Sequence, residues 1–187
     1  LADAAATSTA NALVSSTATP HMRWDQLVDQ PPSVTTDEIQ AALSARRTET
    51  QDAGTETQDS GSGMDDTAAA VTQPVDAEPT RIVADADVLA ADLLVGDDAR
   101  RALSPLWQHS WTTLVASDTL LADAAAVIGA VATPDLAADW RELVDSWRDS
   151  VVHPGGDHPA LGSAYRGGAM HLLSFDDNLT STAAGAA

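Results

Sequence analysis

Residues 156–179 read GDHPALGSAYRGGAMHLLSFDDNL and predict a helix, a tight turn and a short buried strand followed by acids. Asp157 is a favourable N-cap, and Gly167-Gly168 ends the helix because glycine adopts the left-handed conformation without strain. A strand that runs antiparallel to the preceding helix finishes beside the start of that helix. Asp157 and Asp176 are therefore predicted to face one crevice, at the sheet edge where α/β proteins usually bind ligands.

Two further strands are predicted upstream. Residues 81–89, RIVADADVL, begin with an apolar run that ends at Asp85 and continues into a helical pattern. Residues 111–116, WTTLVA, have the β-branched and apolar content of a buried strand. The helix that follows is capped by Ser117, and its apolar stripe leaves Asp123 at the border of the core.

The remaining helices are predicted over residues 90–95, over residues 97–106, and from Thr133 as far as Asp149 on the outer face. The resulting order is strand, helices, strand, three helices and strand. This order predicts an α/β fold with three layers, α/β/α, around a mainly parallel central sheet.

Composition limits the classes of function. The chain has 187 residues and no cysteine, which excludes disulfides and thiolate metal sites. It has no run of 18 apolar residues, so we expect no membrane span. Twenty-eight acids, of which 23 are aspartate, face nine arginines and no lysine, giving a net charge of −19.

This charge resembles that of cytoplasmic proteins from haloarchaea that accumulate salt, so we expect a halophilic, archaeal, cytoplasmic protein. In roughly molar salt the Debye length is about 3 Å, which screens repulsion between the protein and polyanions. The net charge therefore does not exclude a nucleic-acid substrate.

Residues 1–80 are predicted to be a largely disordered acidic N-terminal region, because they have few large apolar residues. A short amphipathic helix near residues 35–47 is the exception. We interpret it as an isolated helical turn or two, with a docking segment as the alternative. Because Leu1 is not an initiator, Met22 or Met64 is expected to be the true start. The ordered domain is expected to span residues 81–187.

From residue 81 to residue 179 the chain resembles the PIN domain family of metal-dependent nucleases, which includes the toxins of many toxin–antitoxin pairs. Its first motif resembles the strand ending at Asp85, and its second acid resembles Asp123, where glutamate is usual. The third and fourth acids resemble Asp157 and the Asp176 of the closing SFDDNL. This last stretch also resembles an uncharacterised haloarchaeal PIN-like family.

The resemblance implies a ribonuclease that hydrolyses RNA phosphodiester bonds, either as a toxin or in RNA processing. The catalytic and metal-binding residues would be Asp85, Asp123, Asp157 and Asp176, with Mg²⁺ or Mn²⁺ as the cofactor. The substrate-binding residues would be Ser174, Arg166, Arg100 and Arg101. Expected partners are RNA, an antitoxin protein and a second copy in a homodimer. PIN domains commonly continue through another helix and strand, so this domain is expected to be truncated at its C-terminus.

The residues themselves support a cation, since converging carboxylates repel one another unless a hard divalent ion lies among them. Two alternatives remain open. The first is a non-catalytic PIN-like binding module. The second is a phosphatase of haloacid-dehalogenase type, with Asp85 as nucleophile and Asp87 as acid/base; it is disfavoured because such enzymes usually use a lysine. Among 23 aspartates, most lie on a solvated surface, so only the motif positions carry weight.

Overall fold

The computed structural model describes residues 34–55 and 70–180. The strands of its central sheet are β1 (Glu78–Ala84), β2 (Thr113–Ser117), β3 (Asp149–Val151) and β4 (Ala169–Leu173). Their order in the sheet is β3-β2-β1-β4, and every neighbouring pair is parallel. The carboxyl ends of all four strands therefore lie along one edge.

Seven helices lie within the described residues. They are α1 (Thr36–Thr55), α2 (Ala86–Leu94), α3 (Asp97–Gln108), α4 (Asp118–Val131), α5 (Pro134–Asp145), α6 (Pro159–Gly167) and α7 (Asp177–Thr180). Helix α6 packs across all four strands, while α4 packs against α1, α2 and α5. This arrangement confirms the prediction of a three-layer α/β/α fold with a parallel sheet.

Local sequence explains several helix boundaries. Ser117 and Thr133 cap α4 and α5 with side chains that accept hydrogen bonds from the backbone N–H three residues on. Helix α6 ends at Gly167, and Gly168 follows in the left-handed conformation with φ of 62°. The predicted glycine stop is confirmed. In the described part of the chain, no helix combines the length and the apolar character needed to cross a membrane.

Two boundary predictions are wrong. Helix α2 begins at Ala86 instead of residue 90, because Asp85 caps it. The helix expected to continue to Asp149 ends at Asp145, and Asp149–Val151 forms β3 instead. Strand β3 extends the sheet beyond β2, with Val115 in register with Asp149.

The prediction of an isolated helical turn near residues 35–47 is also wrong. Helix α1 has 20 residues, and its Ile39 and Leu43 are buried in the hydrophobic core. Strand β1 starts at Glu78, slightly before the expected boundary at residue 81. The predictions made for residues 1–33, 56–69 and 181–187 fall outside the described residues.

Candidate functional site

The first acid of the candidate site lies where β1 ends. Asp85 follows the last residue of β1, and its side chain is 0% exposed. Its backbone N–H donates to the carbonyl of Leu173, the last residue of β4, at 2.8 Å. Its carboxylate accepts from the N–H of Ala86 at 2.8 Å and so caps α2. The parallel topology thus places Asp85 beside the end of a strand that lies 88 positions later in the chain.

The end of β4 brings a second acid to the same edge. The hydroxyl of Ser174 donates to Oδ2 of Asp85 at 3.3 Å and accepts from the N–H of Asp176 at 3.0 Å. The carboxylate of Asp176 accepts from the backbone and the side-chain amide of Asn178, at 2.8 and 2.9 Å. Ser174 therefore links the two acids, and the expectation that it binds substrate stays a prediction.

Asp87 lies beneath these groups and is 1% exposed. Its two carboxylate oxygens accept from the N–H of Val88 at 2.6 Å and from the N–H of Phe175 at 3.0 Å. Burial, followed by repulsion from Asp85, raises the pKa of Asp87 to about 6. With both oxygens bound to backbone donors, Asp87 braces the loop after β4.

A third acid comes from helix α4. The residue Asp123 is 8% exposed, as its position at the edge of the apolar stripe predicted. Burial raises the pKa of its carboxyl, while the positive charges of Arg46 and Arg47 oppose the increase. The Nε atom of Arg46 lies 3.5 Å from Oδ1 of Asp123.

Helix α1 supplies two cations that sequence reasoning did not place at the site. One Nη atom of Arg47 donates to both carboxylate oxygens of Asp85, at 3.0 and 3.2 Å. The other lies 3.9 Å from Oδ2 of Asp176. Arg46 and Arg47 together therefore contact three of the four predicted acids. The available signal was an adjacent arginine pair in a chain with only nine basic residues.

The fourth predicted acid, Asp157, does not contact the arginines that bind the other three acids. Asp157 is exposed, and its backbone N–H contacts the carbonyl of Pro154 at 3.4 Å. The expected N-cap role is wrong, because α6 is capped by His158, whose Nδ1 accepts from the N–H of Ala160 at 3.3 Å. The cap is therefore one residue later than predicted, and Asp157 remains in the preceding turn.

His158 is the residue of this turn that lies near the acids. Burial is the main cause of its lowered pKa, and the carboxylate of Asp85 is the largest opposing influence. Its Nε2 is buried and has no hydrogen-bond partner within the described ranges. The start of α6 therefore brings His158 near Asp85, whereas the prediction had chosen Asp157.

The three arginines predicted to contact substrate phosphates have other partners. Arg100 binds the carboxylate and carbonyl of Asp92, Arg101 pairs with Asp98, and Arg166 donates to the carbonyl of Thr72. The contact between Arg100 and Asp92 is part of a buried network, since Trp107 also donates to Asp92 at 2.8 Å. None of these contacts reaches the acids at the ends of β1 and β4.

A cleft of about 330 Å³ opens beside the cluster, between α1 and the turn after β4. Gln40, Ser44 and Arg47 line one side, and Phe175 and Asp176 line the other. We call Asp85, Asp123 and Asp176 the acidic cluster. Its oxygen donors suit a hard divalent cation. Across residues 34–55 and 70–180, however, no three His, Asp or Glu side chains are arranged to hold a metal ion.

The fold and the site define a parallel α/β protein with a largely buried acidic cluster at the carboxyl edge of its sheet. Residues 76–187, more than half of the chain, match the Family of unknown function (DUF7384), and the protein belongs to that family. No curated protein and no solved structure matches the chain. The family match begins after α1, so the two arginines that contact the acidic cluster lie outside the matched region.

Proposed function

We propose that this protein is a divalent-metal-dependent nuclease that hydrolyses RNA phosphodiester bonds. The observation that carries this proposal is the meeting of Asp85, Asp123 and Asp176 around cationic groups at the carboxyl edge of a parallel sheet. Ligands of open α/β sheets usually bind at this edge.

Burial gives the acidic cluster a need for positive charge. An ionised carboxylate that is removed from water is costly unless a cation or several hydrogen-bond donors compensate for it. Asp85 is fully buried, and Asp123 is nearly so. In this structure the compensating positive charge comes from Arg46 and Arg47, and a divalent cation would compensate for the same carboxylates. The PIN resemblance of the same positions supports the same interpretation.

The protein residues would divide the work as follows. Asp85, Asp123 and Asp176 would hold Mg²⁺ or Mn²⁺, which when bound supplies Lewis acidity towards a phosphate and an attacking water of lowered pKa. Ser174 orients Asp85 and Asp176 through its two hydrogen bonds. Asp87 fixes the backbone at Phe175 and so keeps the loop after β4 against β1.

A non-catalytic binding module is the second candidate. It is favoured by the direct contact of Arg47 with both oxygens of Asp85, which neutralises this acid without a metal. In such a module the arginines would be permanent partners of the acidic cluster. Metal-dependent cleavage separates the two candidates.

The cellular setting follows from the nuclease proposal. A toxin of a toxin–antitoxin pair would bind an antitoxin protein and form a homodimer in the cytoplasm, whereas an RNA-processing enzyme would need no antitoxin. Copurification of the full-length protein from its own cells, followed by mass spectrometry, tests this difference. A stoichiometric small protein partner is expected for a toxin.

The function is tested with end-labelled single-stranded RNA oligonucleotides in about 2 M KCl, where the Debye length is short. Wild type, Arg47→Ala and Asp85→Asn are compared with and without Mn²⁺, and Asp145→Asn serves as a control at an exposed acid. Mn²⁺-dependent cleavage that Asp85→Asn loses and Asp145→Asn retains is expected. If none of the proteins cleaves RNA, or if Asp85→Asn cleaves as well as wild type, the nuclease proposal fails.

A further inference from the structure

We propose that helix α1 is a built-in cover of the acidic cluster, whose arginines occupy the carboxylates that a divalent cation needs. This inference rests on the function proposed above and adds a means of regulating it. Metal binding then requires Arg47, and to a smaller extent Arg46, to withdraw from the cluster.

The contacts of Arg47 make the two occupants mutually exclusive. Its guanidinium donates to both oxygens of Asp85 and lies within 3.9 Å of Asp176. A Mg²⁺ ion coordinates carboxylate oxygens at about 2.0–2.1 Å and prefers a complete shell of oxygen ligands. Two positive groups that share the same buried oxygens repel each other strongly, because the surroundings have a low dielectric constant.

The first half of α1 is anchored in the core more firmly than the part that carries its two arginines. The apolar anchors Ile39 and Leu43 are buried, and both lie in the first half of the helix. From Ser44 onwards, the side chains through Thr50 are exposed or only half-buried. The part that carries Arg46 and Arg47 is therefore held mainly by its ion pairs, which are the interactions that a competing cation weakens.

The neighbouring cleft gives a cation access to the covered carboxylates. Arg47 and Asp176 both line this opening of about 330 Å³. The Asp176 side chain is 29% exposed, whereas that of Asp85 is fully buried. A cation entering the cleft would meet Asp176 first and Asp85 only after Arg47 has moved.

Helix α1 is also separate from the part of the chain that defines the family. The match begins at residue 76, whereas α1 ends at Thr55. The acidic cluster belongs to the matched region, and the cover comes from the segment before it. The acidic cluster and the arginines that contact it therefore come from different parts of the chain, although α1 also adds Ile39 and Leu43 to the core.

The experiment measures Mn²⁺ binding by isothermal titration calorimetry, using the full-length protein in about 2 M KCl. The variants are Arg47→Ala, Arg46→Ala and Asp85→Asn. Arg141→Ala is the matched control, because its side chain is 26% exposed against 25% for Arg47 and it also contacts two aspartates, Asp118 and Asp145.

We expect Arg47→Ala to bind Mn²⁺ about tenfold more tightly than wild type. This change corresponds to a binding-competent fraction of about one tenth in wild type and of nearly all molecules in the variant. Arg46→Ala should have a smaller effect, and Arg141→Ala none. Equal affinity of wild type and Arg47→Ala, with loss of binding in Asp85→Asn, would overturn the cover and leave the metal site intact. No Mn²⁺ binding to either protein would instead overturn the metal site, and the cover with it.

Hydrogen exchange of the wild-type protein provides a second measurement, which does not depend on the folding of Arg47→Ala. Amide exchange in α1 should become at least about tenfold faster when Mn²⁺ is bound, because local opening controls exchange. Exchange in α5, which packs against α4, serves as the reference. Unchanged exchange in α1 with Mn²⁺ bound would contradict a cover that withdraws.

Discussion

One guanidinium nitrogen of Arg47 lies 3.0 Å from Oδ1 and 3.2 Å from Oδ2 of Asp85. The two residues are 38 positions apart, and the carboxylate is fully buried. Asp85 in turn receives a hydrogen bond from Ser174, the residue that follows β4. This ion pair thus joins helix α1 to the carboxyl edge of the sheet and to the proposed metal site.

Loss of Arg47 is expected to destabilise the protein in metal-free buffer. Arg47→Ala leaves Asp85 buried without its cation, and breaking such a pair typically costs about 3–5 kcal/mol. The double variant with Asp85→Asn should cost less than the sum of the single variants, with a coupling energy of about 1–3 kcal/mol. Urea unfolding with EDTA present measures all four proteins. Additive effects would show that the contact contributes little.

The two predicted site acids after residue 150, Asp157 and Asp176, are expected to respond differently to substitution. Asp176→Asn should reduce the Mn²⁺-dependent rise in melting temperature, because Asp176 belongs to the acidic cluster. Asp157→Asn should leave this rise unchanged, because Asp157 is exposed in the turn before α6. Differential scanning fluorimetry over a Mn²⁺ titration measures both. A larger effect of Asp157→Asn would support its original placement at the site.

The parts of the fold that were predictable are those with a strong local pattern. Strands β1 and β4 each combine an apolar run with an acid beyond its end, and the parallel order followed from the helices between them. Strand β3 has three residues, of which Asp149 and Ser150 are exposed, so no alternation marks it. The burial of Ile39 and Leu43 depends on a distant surface, which a local pattern does not contain.

The sequence allowed us to predict which acids follow strand ends, but not which side chains contact those acids. Asp85 and Asp176 follow strands and were placed by topology. His158 replaced Asp157 because the turn ends one residue later, which lies within the ordinary uncertainty of helix boundaries. The contacts of Arg47 with Asp85 and of Trp107 with Asp92 join separate elements, and only tertiary packing brings them together.

The buried Asp92 is expected to make stability depend on pH. Burial raises its pKa from 3.8 to about 6, so the folded state binds a proton more tightly than the unfolded state. This contribution is fully favourable below pH 3.8 and is lost as pH rises through about 6. Asp92→Asn keeps an acceptor for Trp107 and lacks this titration. Between pH 4.5 and 7, the unfolding free energy of Asp92→Asn should therefore rise by about 2 kcal/mol relative to wild type.

Urea unfolding of both proteins at several pH values in constant salt tests this expectation. The unfolding free energy of Asp145→Asn, which changes an exposed acid, should depend on pH in the same way as that of wild type over this range. A constant difference between Asp92→Asn and wild type would show that Asp92 is not protonated more readily in the folded protein.

Substitution of two helical glycines by alanine is expected to have opposite effects on stability, because Gly167 is closely packed against the sheet and Gly129 is not. A Cβ at Gly167 would lie less than 3.0 Å from Cγ1 of Val115 in β2, a side chain that is fully buried. Gly167→Ala should therefore cost about 1–3 kcal/mol through overpacking. At Gly129 in α4 a Cβ would meet Ala137 at an ordinary 3.7 Å, so Gly129→Ala should stabilise by about 0.5–1 kcal/mol.

Replacing Val115 by alanine tests whether the contact between Val115 and the new methyl group at residue 167 causes the loss of stability. The double variant Gly167→Ala with Val115→Ala should be more stable than the sum of the two single effects predicts, because the new methyl group fills the space that the smaller side chain leaves. Chemical denaturation of the four proteins, with Gly129→Ala as the control for helix propensity, measures this coupling. Strict additivity would place the cost of Gly167→Ala elsewhere than against Val115. A positive coupling would show that β2 and the end of α6 are in direct contact.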